Sequence, residues 1–273
     1  MVAQQLADAG SYKFGRFAKN AEELARLKLQ ATVAIDLERE AWRTAGLRTG
    51  MQVLDLACGP GFTSCELARA VGPDGRVTGI DLNEELVAVA GQAQAAEQVA
   101  NVAFAAGNAY ALDLPENHFD FVYARFLFQH LEKPLLALEN VRRVLKPGGI
   151  LCILDIDDNW TSFAPESAAF VRFIRRAGAG QRRKGGNRLI GSQLSGLLQA
   201  AGFREVRVAI HPLTTDRLGV RMFLGVAVLF RLELMNRLQK FLALPQLRRI
   251  KAAAQDPHAW GALGVFVASG AKP

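Results

Sequence analysis

The residues whose types and order could do chemistry begin with Asp55-Leu56-Ala57-Cys58-Gly59-Pro60-Gly61. An apolar run enters a turn that holds two glycines, and Phe62 to Val71 leaves it with apolar residues at helical spacing. Gly59 and Gly61 lack the Cβ that would hold a backbone away from a ligand, and a helix start beyond such a turn presents free N–H groups. That arrangement suits a polar small molecule. Twenty residues after Gly61, Asp81 ends a second apolar strand, placed to accept hydrogen bonds from a ribose diol. Two phosphate-binding patterns are not met. The third glycine of a dinucleotide G-x-G-x-x-G is replaced by Ser64, and no lysine follows the turn as a P-loop requires.

The turn resembles the first motif, D/E-x-x-x-G-x-G, of the class I S-adenosylmethionine-dependent methyltransferases. Asn108-Ala109, after a third strand, is similar to that family's D/N-A pair. Phe119 to Pro134, containing His130-Leu131-Glu132-Lys133-Pro134, resembles the fourth-strand region of its small-molecule subgroup, and Leu145-Lys146-Pro147-Gly148-Gly149 resembles its stop before a fifth strand. The resemblance is specific from about residue 47 to 157 and thinner beyond. It implies S-adenosylmethionine as cofactor, held by Asp55, Ala57, Cys58, Gly59, Gly61, Asp81, Leu82, Asn108 and Ala109. Arg125, at a strand tip, is expected to meet the cofactor carboxylate or an anionic substrate, a surface salt bridge being the alternative. His130 is the most economical general base, because an imidazole titrates near neutrality; a structural histidine under the cleft is the alternative. In many small-molecule members a helical N-terminal segment caps the cleft. On that ground Tyr12, Phe14 and Arg16 are candidates for a lid, against an ordered tail packed on the surface.

Absences narrow the partners. Asp155, Asp157, Asp158 and Asn159 invite a metal, but Ala124-Arg125 stand where metal-dependent members carry a carboxylate, and no metal is expected. The [N/D/S]-P-P-[Y/F] motif of amino-methylating nucleic-acid enzymes is missing, and so is a Pro-Cys nucleophile. The basic stretch 172–188 has no interleaved aromatics for base stacking, so a solvated loop or an acidic small molecule fits it better than nucleic acid. Three scattered cysteines make no disulfide framework, and the most apolar run, Met222 to Phe230, is about half the length of a membrane span. No leader is evident at Met1 to Asp8, and a cytoplasmic protein is expected.

Strands alternating with helices imply a parallel sheet wrapped on both faces. The expected architecture is Rossmann-like α/β: a seven-stranded, mostly parallel sheet with an antiparallel last strand. A helical cap occupies 1–46, including a helix from Ala21 to Ala45, and a methyltransferase domain occupies 47–273. Within it, Ser167 to Arg176 reads as helix and 177–187 as a flexible basic loop. A long helix capped by Asp216 is expected to run to about Leu244, broken by Pro245, inside an insert of about 216–258. Phe223, Phe230 and Phe241 could line an apolar acceptor pocket, form a face for a second copy of the chain, or pack as core. The implied activity is methyl transfer to a small, apolar or natural-product-like acceptor of secondary metabolism. Members that keep the cofactor site but catalyse another reaction, such as cyclisation, are the alternative, and a nucleic-acid-modifying protein is a more distant one.

Overall fold

In a computed structural model the described residues are 20–273, of the 273 in the chain. Tyr12, Phe14 and Arg16 lie outside them. The elements are α1 (Asn20–Ala45), β1 (Gln52–Leu56), α2 (Phe62–Val71), β2 (Arg76–Asp81), α3 (Glu84–Ala96), β3 (Val102–Ala106), β4 (Phe119–Arg125), α4 (Pro134–Val144), β5 (Leu145–Ala164), α5 (Ser167–Arg182), α6 (Leu194–Ala200) and β6 (Arg204–Thr214). They continue with α7 (Thr215–Leu218), α8 (Val220–Ala227), α9 (Arg237–Ala253) and β7 (Trp260–Ala271). The seven strands form one sheet in the order β3-β2-β1-β4-β5-β7-β6. β1 to β5 run parallel, while β7 is antiparallel to both β5 and β6. The chain leaves β1 toward β2 and β3, then crosses back to β4 on β1's other side. Ligands in open α/β sheets bind at such a switch point, beyond the carboxyl ends of the strands.

The central strands are apolar throughout because both faces are covered. Val53, Cys65, Val71, Phe121 and Cys152 share one core with the helix face Leu37, Ala41 and Trp42. Leu54, Val122, Leu151, Phe128 and Leu138 build the other. On α1 the buried stripe Ala34, Leu37, Glu38, Ala41, Trp42 contains a carboxylate with 0% exposure. Glu38 Oε1 accepts from Arg125 Nε at 2.7 Å and Oε2 from the Tyr123 hydroxyl at 2.9 Å. The Trp42 and Tyr123 rings meet edge to face with centroids 5.4 Å apart. This contact fixes α1 across the end of β4.

Three expectations need correction in the second half. β5, whose apolar run Ile150 to Leu154 alone reads as strand in the sequence, continues to Ala164 with an irregularity against β7 between Ile156 and Thr161, so Asp155, Asp157 and Asp158 lie within the strand and do not follow it. The stretch read as a flexible basic loop is largely helical, since α5 continues to Arg182. Gly180 serves close packing: a Cβ there would stand 2.5 Å from the Leu234 carbonyl oxygen. The helix expected from Asp216 to Leu244 is broken at Gly219, whose φ is +74°, and again by a 3₁₀ stretch, Leu229–Leu234. Thr214 occupies the N-cap position and Asp216 instead accepts from Trp260 Nε1 at 2.8 Å. Pro245 lies inside α9, whose start is fixed by a capping box between Asn236 and Gln239. The carbonyl that proline leaves without a helical donor belongs to Phe241, which is exposed to water.

The three phenylalanines of the insert have three fates. Phe223 is core, stacked on Phe163; Phe230 lines the main cavity; Phe241 faces outward. No described helix is long and apolar enough to cross a membrane.

Removing one partner of a buried ion pair strands the other charge. Glu38→Ala is therefore expected to destabilise the protein by about 3 kcal/mol or more, and Glu38→Gln by less because it still accepts from Tyr123. Urea unfolding of the three proteins checks the order; equal midpoints would contradict it.

Candidate functional site

A single cavity of about 290 Å³ opens at the carboxyl ends of β1, β2 and β4. Its first part is the glycine turn. Gly61 has φ +76°, and a Cβ there would meet Ala90 and Phe104 at 2.7 Å, so the position is closed to other residues. Gly59 also has a positive φ, with open space where its side chain would be. The turn is tied by Cys58 N to Ile80 O at 3.0 Å and Gly61 N to Cys58 O at 3.1 Å. Ala57, just before it, holds φ +62°, a conformation sparsely populated outside glycine and asparagine.

Asp81 sits at the tip of β2, accepting from Gly59 N at 2.8 Å and Asn83 N at 2.9 Å. Each carboxylate oxygen keeps a second lone pair, which is the capacity a diol needs. Burial raises the Asp81 pKa, partly offset by those backbone donors. Asp55 is deeper, 2% exposed, and accepts from Ser64 Oγ at 2.6 Å. Burial pushes its pKa up to about 7. Asn108 and Ala109 line the cavity beyond β3, with Asn108 Oδ1 accepting from Tyr110 N at 2.9 Å. Leu82 is half exposed at the rim. Asp55, Ala57, Cys58, Gly59, Asp81, Leu82, Asn108, Ala109 and Arg125 thus share one cavity wall, while Gly61 supports it from behind.

Arg125 is no surface salt bridge. Its Nε is bound to buried Glu38, its guanidinium lies 4.7 Å from the Phe126 ring centroid, and its Nη2 has no hydrogen-bond partner among the described residues. A buried guanidinium N–H left free at a cavity wall is a donor awaiting a polar ligand atom. An acid for a diol, an amide beside a small residue, and glycines at the point of closest approach fit an adenosine-type cofactor with a charged tail.

The second part of the cavity lies between α1 and the insert. Leu27, Ala31, Leu213, Val226, Phe230 and Leu263 give it apolar walls, and Arg26, Gln129, His130, Arg188 and Arg231 give it polar groups. His130 ends a one-turn 3₁₀ helix, Phe128–His130, held to β5 by Gln129 N donating to Asp155 Oδ2 at 3.0 Å. The Gln181 amide nitrogen lies 3.3 Å from His130 Nδ1 and 2.9 Å from the Gln129 carbonyl. With that amide donating, Nδ1 is the imidazole's acceptor and Nε2 carries its hydrogen. Burial and the Arg188 and Arg26 cations push the His130 pKa down to about 3. The lone pair a general base needs is already engaged, so this imidazole is built as a neutral donor.

The carboxylates that suggested a metal are all engaged elsewhere. Asp155 accepts from Gln129 N and Ile156 N. Asp157 accepts from Asn159 N and Ser192 N. Asp158 accepts from Arg188 Nε at 2.8 Å and Arg231 Nη2 at 2.6 Å. Sequence reasoning passed over Glu38, Arg26, Gln129 and Arg231, and placed Arg188 in a basic stretch read as a solvated loop or a site for an acidic small molecule; it is 2% exposed. Glu38 had a signal: a charge on the apolar stripe of a helix. Arg188 had none.

A model of the methyltransferase domain matches residues 47–182. Demethylmenaquinone methyltransferase of Staphylococcus aureus is 34% identical over 143 residues, 50% of this chain and 58% of that protein. The chain thus matches little more than half the length of that relative. A SAM-dependent methyltransferase from Aquifex aeolicus is 28% identical with a TM-score of 0.53, covering 68% of this chain and 88% of that one. The [4+2]-cyclase SpnF is similar in fold, at 22% identity and a TM-score of 0.57 over 87% of this chain and 81% of the cyclase.

Asp55 is a carboxyl that burial keeps from ionising: its pKa rises from 3.8 to about 7, so the folded state holds a proton the unfolded state has lost between those values. Stability from this group therefore falls as pH rises through that window. Asp55→Asn, which keeps the acceptor for Ser64, is expected to stabilise the protein by about 1–2 kcal/mol at pH 8, with no gain below pH 4. Thermal unfolding at both pH values checks it.

Proposed function

Residues 47–182 make this chain a member of the class I S-adenosylmethionine-dependent methyltransferases, and from that premise we propose that it transfers a methyl group to a small, largely apolar acceptor. The observation that carries the proposal is continuity: one cavity joins the glycine turn and Asp81 to an apolar chamber between α1 and the insert. The Staphylococcus relative, named for demethylmenaquinone, supports an acceptor of this apolar kind. The walls that would enclose it, Leu27, Val226 and Leu263 among them, come from elements that flank the matched domain.

Asp81 would hold the ribose hydroxyls, Asn108 and Ala109 the adenine, and Asp55, the glycine turn and Arg125 Nη2 the amino-acid end. Bound there, S-adenosylmethionine supplies a sulfonium-activated methyl group for in-line attack. The protein's task is then alignment and exclusion of water rather than activation of the electrophile. The apolar chamber sets the acceptor's position. His130, neutral, lines the chamber as a polar group, and the Gln129–Asp155 contact keeps that imidazole's turn in place. Arg125, locked by Glu38, holds the chamber's junction with the cofactor end.

Two measurements test the proposal. Calorimetric titration is expected to show micromolar binding of S-adenosylmethionine and S-adenosylhomocysteine, weakened at least tenfold, about 1.4 kcal/mol, by Asp81→Ala. Absence of binding by either would sink it. Once an acceptor is turned over, kcat/KM should show no ionisation assignable to an imidazole between pH 5 and 8, because His130 stays neutral there. A limb near pH 6.5 that vanishes in His130→Gln would instead establish proton storage on that ring.

A further inference from the structure

Charge divides the cavity into two ends. Its lining acids, Asp55 and Asp81, both belong to the cofactor end, whereas Arg26, Arg188 and Arg231 line the other end and no described acid does. Arg188 and Arg231 are 2% and 0% exposed, deeper than a guanidinium goes without a compensating anion. One carboxylate, Asp158, serves both of them from outside the cavity lining, through Arg188 Nε and Arg231 Nη2. Glu23 serves Arg26, accepting from its Nε at 2.8 Å. Among the described residues, three guanidinium groups against two carboxylates leave one positive charge. Asp155 is near, but it spends its oxygens on the backbone of Gln129 and Ile156, and burial pushes its pKa up to about 7.

Two further observations say where a ligand would meet that charge. Arg231 Nη1 donates to the Ala227 carbonyl and Nη2 to Asp158, but its buried Nε–H has no partner among the described residues. The three guanidinium carbons also surround one ring: Phe230 has Arg26 at 5.5 Å and Arg188 and Arg231 at 5.3 Å from its centroid. A ring face softens the repulsion among three cations without neutralising it. Apolar walls with an under-compensated guanidinium cluster at one end match a molecule that is apolar along its length and anionic at a point.

Resting on the methyl-transfer reading above, we propose that the acceptor is an apolar carboxylic acid whose carboxylate is received by Arg231, Arg26 and Arg188 around Phe230. The carboxylate anchors the acceptor at the chamber's far end and leaves its apolar body directed toward the cofactor end. The anchor for the carboxylate is thereby assembled from α1, the stretch before α6 and the segment between β6 and β7.

The test uses the full chain saturated with S-adenosylhomocysteine and two probes of one shape, 2-naphthoate and neutral 2-naphthamide, titrated at pH 7.5. Naphthoate is expected to bind at least tenfold more tightly. Arg231→Met is expected to bring the two within threefold while leaving the S-adenosylhomocysteine affinity unchanged. Because Arg231 is buried and its loss endangers folding, Arg26→Met, altering a partly exposed residue, is the second variant and should cut the preference at least threefold. Equal binding of the two probes, no naphthoate binding, or a preference that survives both substitutions overturns the proposal while the methyl-transfer reading stands. Failure to bind S-adenosylhomocysteine removes the methyl-transfer reading itself, and with it this one.

Discussion

The buried Glu38–Arg125–Tyr123 contact is what the rest of the site depends on. A carboxylate with no exposure is tolerable only if its oxygens are satisfied and its charge is met, and both partners come from the last residues of β4. The contact does two things at once. It fixes α1 against the sheet, so that Leu27 and Ala31 become walls of a chamber rather than residues of a free helix. It also spends Arg125 Nε on the protein while leaving Nη2 unmatched at the cavity. A surface ion pair could do neither, because solvent would screen it and satisfy the remaining donors.

From that junction the cavity is polarised. Toward the glycine turn, Asp81 and Asp55 accept hydrogen bonds, and burial raises the pKa of each. Toward the insert, burial together with Arg188 and Arg26 depresses the His130 pKa, and burial together with Arg188 lowers that of Arg231 to about 10. Low dielectric amplifies both effects, since each group sees its neighbours more strongly than it sees water. The imidazole is consequently a donor at every pH at which the protein would work. The acidic end and the basic end are separated by a few residues at the tips of β1 and β4.

The order of motifs made the sheet and the first half of the site legible in the sequence. Asp55 to Gly61, Asp81 and Asn108-Ala109 are local devices, each at the end of a strand whose apolar character is itself visible. Asn83 is a local device of the same kind: at the start of α3 its side chain accepts from Leu86 N three residues on. Contacts between distant residues were not legible. Arg188 looked like one more cation in a basic run, and only its pairing with Asp158, thirty residues earlier, removes it from water. Ala177-Gly178-Ala179-Gly180 looked like a flexible segment because small residues serve loops and tight packing equally well. What decides between them is the Leu234 carbonyl pressed against Gly180, a neighbour more than fifty positions away. Pro245 misled similarly: α9 runs through it, with the carbonyl left without a helical donor on exposed Phe241.

The division of labour follows from this difference between local and distant contacts. The sheet and its strand-end acids fix a cofactor end that depends on short-range sequence. The basic end of the cavity depends on three separated segments, α1, the Gln181–Arg188 stretch and the insert, meeting over Asp158 and Phe230. Gly180 lets the insert approach α5, that approach brings Arg231 to Asp158, and Asp158 already holds Arg188. Each step constrains the next, so a change in any one of these segments alters the pairing of Asp158 or the cations around Phe230. The cavity's two ends are thus built from separate residues: the pairing of Asp158 with Arg188 and Arg231 involves none of those at the glycine turn.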